Sequence, residues 1–205
     1  MPKQSSPLLS RPTLRTLTSR DLAQYSLIPA TFVVHSRFAT DRFDPLSPTD
    51  LPEEPCSWKV KNSDLEVSEN PAFLGSRFDI RAWTVIGAFD GNRLVGGAIV
   101  APLSPIFTFV PQLSRCAVLV DLRIDSGYRR QSLGRSLVVA AAKSASDMNC
   151  ERLFIETQDT NLSACRLYSA VGCELFSVDP HGYGPAIQEA NIVWSLSIGM
   201  VSPTN

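Results

Sequence analysis

One stretch near the middle of the chain constrains the fold most, because it joins a strand pattern directly to a helix pattern. The run CAVLVDLRID, residues 116–125, is continuously apolar at first and then alternates, as expected for a central strand. From Leu133 to Met148, apolar side chains recur at helical spacing. A strand, a short loop and a helix in this order form a β-loop-α unit, which is typical of an α/β domain with helices packed on a sheet.

Strand and helix patterns on both sides of this unit extend the same domain. The hairpin signal Asp90-Gly91-Asn92 lies between two apolar β-type runs. In chain order, the further elements that we predict are a strand at 13–18, a helix with Ser19 as its N-cap, two strands within 83–102, a strand at 152–157, a helix that is capped by Asn161 or Ser163 and stopped by Gly172, and strands at 174–179 and 191–198. The order β-α-β-β-β-α-β-α-β-β predicts one α/β domain with a mixed sheet.

The length and composition are those of one ordinary globular domain. The chain has 205 residues, of which 44% are hydrophobic and 19% charged, and this is enough for one well-buried core. We predict a single domain over 1–205, in which 1–12 form a flexible tail, 41–80 form an irregular insertion rich in Pro, Asp, Glu and Ser, and 83–197 form the core.

Charge and hydropathy argue against some classes of partner. The net charge of −1 gives no global reason to expect nucleic acid or an anionic membrane as a partner. No apolar run approaches the ~20 residues that span a bilayer. The first twenty residues are basic and lack an acid, as in an organelle transit peptide, but the strand pattern at 13–18 competes with that interpretation. We therefore expect a cytoplasmic location.

The five cysteines and two histidines show no spacing typical of metal ligands. The cysteines form no CxxC pair and are odd in number, and His35 lies far from His181 in the sequence. We predict reduced thiols, no disulfide framework and no metal site.

The loop before the central helix, RRQSLGRS at 129–136, is basic where a helix start normally prefers acids. Free backbone N–H groups at a helix start bind phosphate. Arg129, Arg130 and Arg135 add positive charge, and Gly134 would let a ligand approach the backbone. A solvated basic loop whose glycine serves packing explains the same residues. The GKS/T ending of a Walker loop and the two-glycine dinucleotide fingerprint are both absent from the loop.

Two segments resemble the GNAT superfamily of acyl-CoA N-acyltransferases. LRIDSGYRRQSLGRSLV, residues 122–138, resembles the cofactor motif (Q/R)xxGxG/A, and LFIETQDTNLSACRLYSAVGCE, residues 153–174, resembles the later motifs, a strand ending in a carboxylate and then N…A…LY…GF. The second segment is most similar to the streptothricin acetyltransferases, whose strand and loop read LETQxxNxxAC. Ser132 stands in place of the first glycine of the cofactor motif, and Cys173 stands where phenylalanine is usual.

The resemblance implies the GNAT fold, in which a central, mostly antiparallel sheet is splayed between its fourth and fifth strands and flanked by helices. It also implies acetyl-CoA as a co-substrate and no metal. Residues 130–135 would wrap the pyrophosphate, the backbone of 122–124 would pair with the pantetheine arm, and Asn161 would hydrogen-bond a pantetheine amide. The cofactor-binding residues that it implies are Leu122, Arg123, Ile124, Arg129, Arg130, Gln131, Ser132, Leu133, Gly134, Arg135, Ser136, Asn161, Ala164 and Tyr168.

Acetyl transfer to an amine requires one group that takes the amine proton and another that protonates the leaving thiolate. Glu156 ends its strand and Asp121 lies one residue before the cofactor-pairing segment, so either carboxylate could attract a cationic amine and relay its proton. A cap or salt bridge at a strand end is the alternative for both. By the resemblance, Tyr168 protonates the CoA thiolate, and a core tyrosine is the alternative. No histidine lies near Cys165 in sequence, so a covalent acetyl-cysteine is not expected.

These features predict an acetyl-CoA-dependent N-acetyltransferase that transfers the acetyl group directly, in a ternary complex, to the primary amine of a small cationic molecule. Acetylation of a protein N-terminus or lysine is the alternative, because the segment 41–80 does not distinguish a closed pocket from an open groove. A non-catalytic domain that binds CoA and regulates another process is a second alternative, favoured by Ser132 in place of glycine. In the family, the region of His181 and Tyr183 often contacts the acceptor, and homodimers are common.

Overall fold

The computed structural model describes residues 11–40, 52–62, 70–184 and 187–199. Most of the expected tail, 1–12, and parts of the expected insertion, 41–51 and 63–69, lie outside these residues. The strands and helices in chain order are β1 (Thr13–Leu17), α1 (Leu22–Tyr25), β2 (Thr31–Phe38), β3 (Glu53–Asn62), α2 (Leu74–Arg77), β4 (Thr84–Asp90), β5 (Arg93–Pro102), β6 (Cys116–Ile124), α3 (Leu133–Asp147), β7 (Arg152–Gln158), α4 (Leu162–Ala170), β8 (Glu174–Asp179) and β9 (Asn191–Ser197).

The main sheet of the described chain has seven strands in the order β1-β4-β5-β6-β7-β9-β8. Only β6 and β7 pair in parallel, and α3 forms the crossover between them, while the other neighbours pair antiparallel. A parallel pair needs a crossover long enough to return the chain to the same end of the sheet, and a helix supplies it. The predicted mixed α/β fold is confirmed.

The sheet splits between its fourth and fifth strands, β6 and β7. Their pairing covers only Cys116–Leu119 against Arg152–Ile155, although both strands continue beyond these residues. At the same level, Val120 is the extra residue of a β-bulge against β5, and a bulge bends its strand and increases the local twist. The predicted splay is therefore present, and it leaves one edge of β6 unpaired from Val120 onward.

Helices cover both faces of the sheet. Helix α3 buries Leu133, Leu137, Ala141 and Ala145 in a core that also receives Tyr168 of α4. The stripe predicted for α3 is thus the buried face. On the opposite face, α1 and α2 pack a smaller core, which contains Leu22, Tyr25, Leu74, Val85 and Ile99.

The N-terminal third differs from the sequence expectation in two ways. The helix near Ser19 is short: a 3-10 turn at 19–21 leads into α1, and the N-cap is Thr18, not Ser19. The Asp21 carboxylate accepts the backbone N–H of Thr18 at 2.7 Å and its hydroxyl at 2.8 Å, so the capping pair begins one residue earlier.

The second difference is a separate two-stranded sheet, in which β2 precedes the predicted insertion 41–80 and β3 lies within it. Every side chain of β3 is exposed or only half-buried. A strand with both faces toward solvent has no alternation of apolar and polar residues, so the pattern that reveals a half-buried strand is missing from its sequence.

Within the described ranges, no helix is long and apolar enough to cross a membrane. The same ranges contain no group of three or more His, Cys, Asp or Glu side chains arranged to hold a metal ion. All five cysteines are free thiols, and four of them are buried.

Candidate active site

The basic loop ends at a helix start that lacks an acidic cap. Ser132 is the N-cap of α3, its side chain makes no capping hydrogen bond, and the first turn contains no acid. The first N–H groups of a helix have no partner within it, so they are available to an anion. Arg130 and Ser132 both have left-handed backbone, with φ of 61° and 63°. Glycine adopts this conformation without the steric cost that a Cβ brings.

The three arginines of the loop have different surroundings. Arg129 donates from Nε to Ile124 O at 3.0 Å and from Nη2 to Thr31 O at 2.8 Å. Arg135 donates to Ala170 O at the end of α4, at 2.9 Å. Arg130 is exposed and has no hydrogen-bond partner among the residues that the structure describes. Of the three arginines, Arg130 can therefore bind an anion at the start of α3 without first losing a hydrogen bond to the described protein.

Gly134 lies where α3 packs closely on α4. A Cβ at this position would lie 2.9 Å from Leu167 Cδ2 and 3.2 Å from Ile124 Cδ1. The packing role that the sequence left open is thus present. Gln131, next to this turn, donates from Nε2 to Gly127 O at 2.8 Å and holds the loop on itself.

The unpaired edge of β6 presents the backbone of alternate residues. Ile124 O accepts from the Arg129 side chain, so it faces away from β5. Backbone groups alternate along an antiparallel strand, and Leu122 therefore faces the same open side. Arg123 lies opposite Gly97 of β5 in the register. Of the three residues predicted to pair with pantetheine, Leu122 and Ile124 present their backbone to the gap.

Asp121 is held in a network on the α1 side of the sheet. Its carboxylate accepts the Tyr25 hydroxyl at 2.6 Å, Arg123 Nε at 2.9 Å and Arg123 Nη2 at 2.8 Å. Arg123 also donates to Ile28 O at 3.0 Å. Burial raises the pKa of Tyr25, and the charge of Asp121 raises it further, so this phenol remains a donor. The salt bridge considered as an alternative for Asp121 is present.

Glu156 is the first residue of β7 beyond the segment that pairs with β6. Its Oε1 accepts the hydroxyl of Tyr183, on the turn after β8, and the Nδ2 of Asn191, the first residue of β9, at 3.1 Å. Glu156 and Tyr183 are half-buried, and Asn191 is buried. Two donors from the β8–β9 connection therefore converge on one carboxylate oxygen.

Tyr168 lies on the buried face of α4. Burial raises the pKa of this phenol well above its ordinary value, and the neighbouring Cys165, Cys173, Asp121 and Glu156 raise it further. The hydroxyl therefore keeps its proton at neutral pH. Of the three residues that the sequence singled out for proton transfer, Asp121 and Glu156 lie where β6 and β7 have separated, and the charges of both act on Tyr168.

The other candidates near this site have surroundings that favour structural roles. Burial raises the pKa of Cys165 to about 12, so the thiol stays protonated and is a poor nucleophile. Asn161 is the N-cap of α4, and its side chain accepts from Ala164 N at 3.3 Å. It also lines a cleft of about 100 Å³ between β2 and α4. His35 and His181 are both exposed.

Several contacts of the site had no local signal in the sequence. The buried Asp159 pairs with Arg37 of β2, and burial raises the pKa of this aspartate although Arg37 opposes the shift. The buried Glu189 pairs with Lys59 at 2.7 Å and with Lys61. Burial alone would raise the pKa of Glu189, but the hydrogen bonds of the two lysines outweigh it and leave the pKa below its ordinary value. These pairs join β2 and β3 to the residues that follow β7 and precede β9.

Comparison with known proteins places this geometry in a family. The sequence model of the Acetyltransferase (GNAT) family matches residues 49–173. N-alpha-acetyltransferase 30 of Homo sapiens is 31% identical over 109 residues, which are 52% of this chain and 29% of that protein. Streptothricin acetyltransferase A of Bacillus subtilis (strain 168) is 31% identical over 80 residues, 38% of this chain and 46% of that protein. The matched region thus spans less than half the length of either relative.

Solved structures show the same fold. A protein assigned as a streptothricin acetyltransferase from Bacillus anthracis strain Ames, in complex with acetyl coenzyme A, aligns with a TM-score of 0.72 and 20% identity. The alignment covers 92% of this chain and 98% of that one. Because the family match covers more than half of the sequence and the splayed sheet is present, the chain belongs to the GNAT family of acetyltransferases.

Proposed function

We propose that this protein is an acetyl-CoA-dependent N-acetyltransferase that acts directly on a primary amine. The observation that carries the proposal is the position of Glu156 and Tyr168, a carboxylate and a protonated phenol, beside the gap between β6 and β7. The two proton transfers of the reaction need these two kinds of group.

The residues around the gap fit acetyl-CoA. The uncapped start of α3 and Arg130 would hold the pyrophosphate, and the backbone of Leu122 and Ile124 would pair with the pantetheine arm. Asn161 lies at the wall of the cleft between β2 and α4, where its amide would bind the arm. Acetyl-CoA supplies an acetyl thioester, whose acetyl group is passed to the amine.

Glu156 is the group to which we assign the amine proton. A free alkylamine is protonated at neutral pH, since its pKa is near ~10, so a carboxylate attracts it and receives its proton through water. We favour Glu156 over Asp121, because the Asp121 carboxylate is already bound by the buried Arg123 guanidinium. Tyr168 gives its proton to the departing sulfur. Asp121 then serves to anchor α1.

A small cationic amine is the acceptor class that we favour. Arg37 donates to Gln188 O at 3.1 Å, and Lys59 and Lys61 hold Glu189, so the β2–β3 hairpin is joined to the loop before β9. We infer that this connection narrows the acceptor side, which would suit a compact molecule better than a protein chain. The streptothricin acetyltransferase relative supports the same class.

A protein N-terminal amine is the second candidate. It is supported by the match to N-alpha-acetyltransferase 30, which is as high in identity and longer than the match to streptothricin acetyltransferase A. The non-catalytic alternative predicts cofactor binding without turnover.

The proposal is tested in two steps. Thermal shift should show a rise in melting temperature with acetyl-CoA and with CoA but not with ATP, because a ligand that binds the folded state stabilises it. Thiol release is then measured with four amines: streptothricin, spermidine, a peptide with a free N-terminus, and an N-terminally blocked peptide with one lysine. Release with the first two alone supports the small-amine class, and release with either peptide overturns it. A thermal shift without release from any amine would favour the regulatory alternative.

A further inference from the structure

We propose that Tyr183 and Asn191 are positioning residues that hold Glu156 in the orientation in which it receives the amine proton. The inference rests on the proposed function, because it assigns supports to the carboxylate that we place in proton transfer. It adds the β8–β9 connection to the machinery of the reaction.

The two donors fix the carboxylate from one side. Tyr183 Oη and Asn191 Nδ2 both donate to Oε1 of Glu156. In the β7–β9 register, Glu156 lies opposite Val193 and Gln158 opposite Asn191, so Asn191 is a diagonal neighbour of Glu156. A glutamate side chain has several rotatable bonds, and two hydrogen bonds to one oxygen restrict it to one orientation.

The turn that carries Tyr183 is packed directly on Asn191. A Cβ on Gly182 would lie 2.6 Å from the Cβ of Asn191, so this approach requires glycine. The turn is closed by Gly184 N donating to His181 O at 2.8 Å and by His181 N donating to Asp179 Oδ1 at 2.9 Å. The two donors of Glu156 therefore form one packed unit.

The other end of this unit is braced from the β2–β3 hairpin. Glu189 is two residues before Asn191 and only 4% exposed, and it is bound by Lys59 and Lys61. Arg37 holds the neighbouring Gln188 carbonyl at 3.1 Å. Strands β2 and β3 thus hold the residues just before Asn191, and this fixes the position from which Asn191 donates to Glu156.

A carboxylate that accepts two hydrogen bonds is favoured in its charged form. Removal of one donor should make the charged form less favourable and should let the side chain leave its orientation. Both effects appear in the pH dependence of the rate, since only the charged carboxylate receives a proton.

The experiment measures kcat and kcat/KM against pH for Tyr183→Phe and Asn191→Ala, with the best acceptor of the four amines above. We expect the acid-side midpoint of kcat/KM to move up by about one pH unit and the plateau of kcat to fall severalfold, because a hydrogen bond to a charged group is worth about one to two such units. The thermal shift with acetyl-CoA should stay as in the unchanged protein. Tyr128→Phe removes a phenol that donates to Asp90 at 2.6 Å, and it should leave the midpoint in place.

Gly182→Ala gives a second route to the same result, since its Cβ would push the turn and Asn191 apart while both donor groups are kept. An unmoved midpoint in Tyr183→Phe, Asn191→Ala and Gly182→Ala would overturn the positioning role. Glu156→Gln separates this failure from that of the proposed function. If Glu156→Gln keeps full activity, the assignment of the proton to Glu156 is itself wrong; if it is inactive and the midpoints are unmoved, only the positioning role fails.

Discussion

The hydroxyl of Tyr25 and the carboxylate of Asp121 lie 96 positions apart in the sequence, and a 2.6 Å hydrogen bond joins them. Tyr25 ends the single turn of α1, and Asp121 follows the bulge of β6. The bond therefore attaches the N-terminal segment to the strand that we expect to carry the cofactor.

Tyr25→Phe should lower the free energy of unfolding by about 1.5–3 kcal/mol, the range for a hydrogen bond to a charged group. Asp121→Asn should lower it by more, about 3–5 kcal/mol, because it leaves the buried Arg123 without its carboxylate. Urea unfolding of both variants measures the difference. Equal and small losses would show that the Asp121 network does not stabilise the fold.

Tyr168→Phe should reduce kcat by about 10²-fold or more, the usual contribution of a positioned proton donor, while the thermal shift with acetyl-CoA stays the same. The raised pKa of Tyr168 also predicts how the rate depends on alkaline pH. The phenol is the proton donor only below its pKa, so its ionisation should cause no loss of rate until the pH exceeds the ordinary tyrosine value of about 10. A Tyr168→Phe variant with full activity would assign the proton to another group.

Ser132→Gly should raise the free energy of unfolding by about 1 kcal/mol, because Ser132 has a φ of 63° and a left-handed residue with a Cβ costs about that much. Arg130→Gly relieves the same kind of conformation, at a φ of 61°, but removes the charge that we assign to the pyrophosphate. Both variants should be stabilised, and only Arg130→Gly should bind CoA more weakly.

Asn149→Gly supplies the control for this pair. Asn149 has a φ of 60° beyond the other end of α3, so its replacement tests conformational relief alone and should leave CoA binding unchanged. Weaker CoA binding by Ser132→Gly would mean that the serine side chain itself contacts the anion.

Lys59→Met combined with Lys61→Met should lower the free energy of unfolding by about 3 kcal/mol, since the buried Glu189 loses both partners. Lys143→Met, which breaks the exposed pair with Asp147, is the matched control and should change it by less than about 0.5 kcal/mol.

In the double variant Lys59→Met and Lys61→Met, the contribution of Glu189 to the pH dependence of stability should change sign. In the unchanged protein the pKa of Glu189 is below its ordinary value, so the unfolded state binds the proton more tightly and this group adds stability as the pH rises. Without the lysines, burial acts alone and raises the pKa, so stability should fall as the pH rises from about 5 to 7. Parallel curves of unfolding free energy against pH for the unchanged protein and the double variant would contradict the pairing of Glu189 with the two lysines.

The part of the fold that follows from local pattern was predictable, and the part that depends on distant pairs was not. The β6–α3 unit has a strong apolar strand, a glycine-containing loop and a helical stripe, so its elements were recognisable from short windows. In the β2–β3 sheet, β3 has no buried side chain, and Val33 and Val60 pair on an exposed face. No periodicity marks such a strand.

The candidate site divides in the same way. Glu156 and Tyr168 lie in motifs that resemble a family, so they could be named from sequence. The Arg37–Asp159 and Lys59–Glu189 pairs join residues that are more than 100 positions apart. No spacing pattern in the sequence marks such pairs, so only the folded chain shows them. The sequence places Tyr183 after the β8 strand, but its contact with Glu156 depends on the close approach of Gly182 to Asn191.

The position of β9 between β7 and β8 has a consequence for how the protein is made. β8 leaves the ribosome before β9, yet it has no partner in the main sheet until β9 has inserted beside β7. During that interval β7 is an open, apolar edge that another chain could pair with. Because Asn191 begins β9, insertion of this strand closes the edge and brings the second donor to Glu156 in the same event. The β7 edge of a nascent chain is therefore covered only when Glu156, the candidate catalytic carboxylate, also has both of its hydrogen-bond donors.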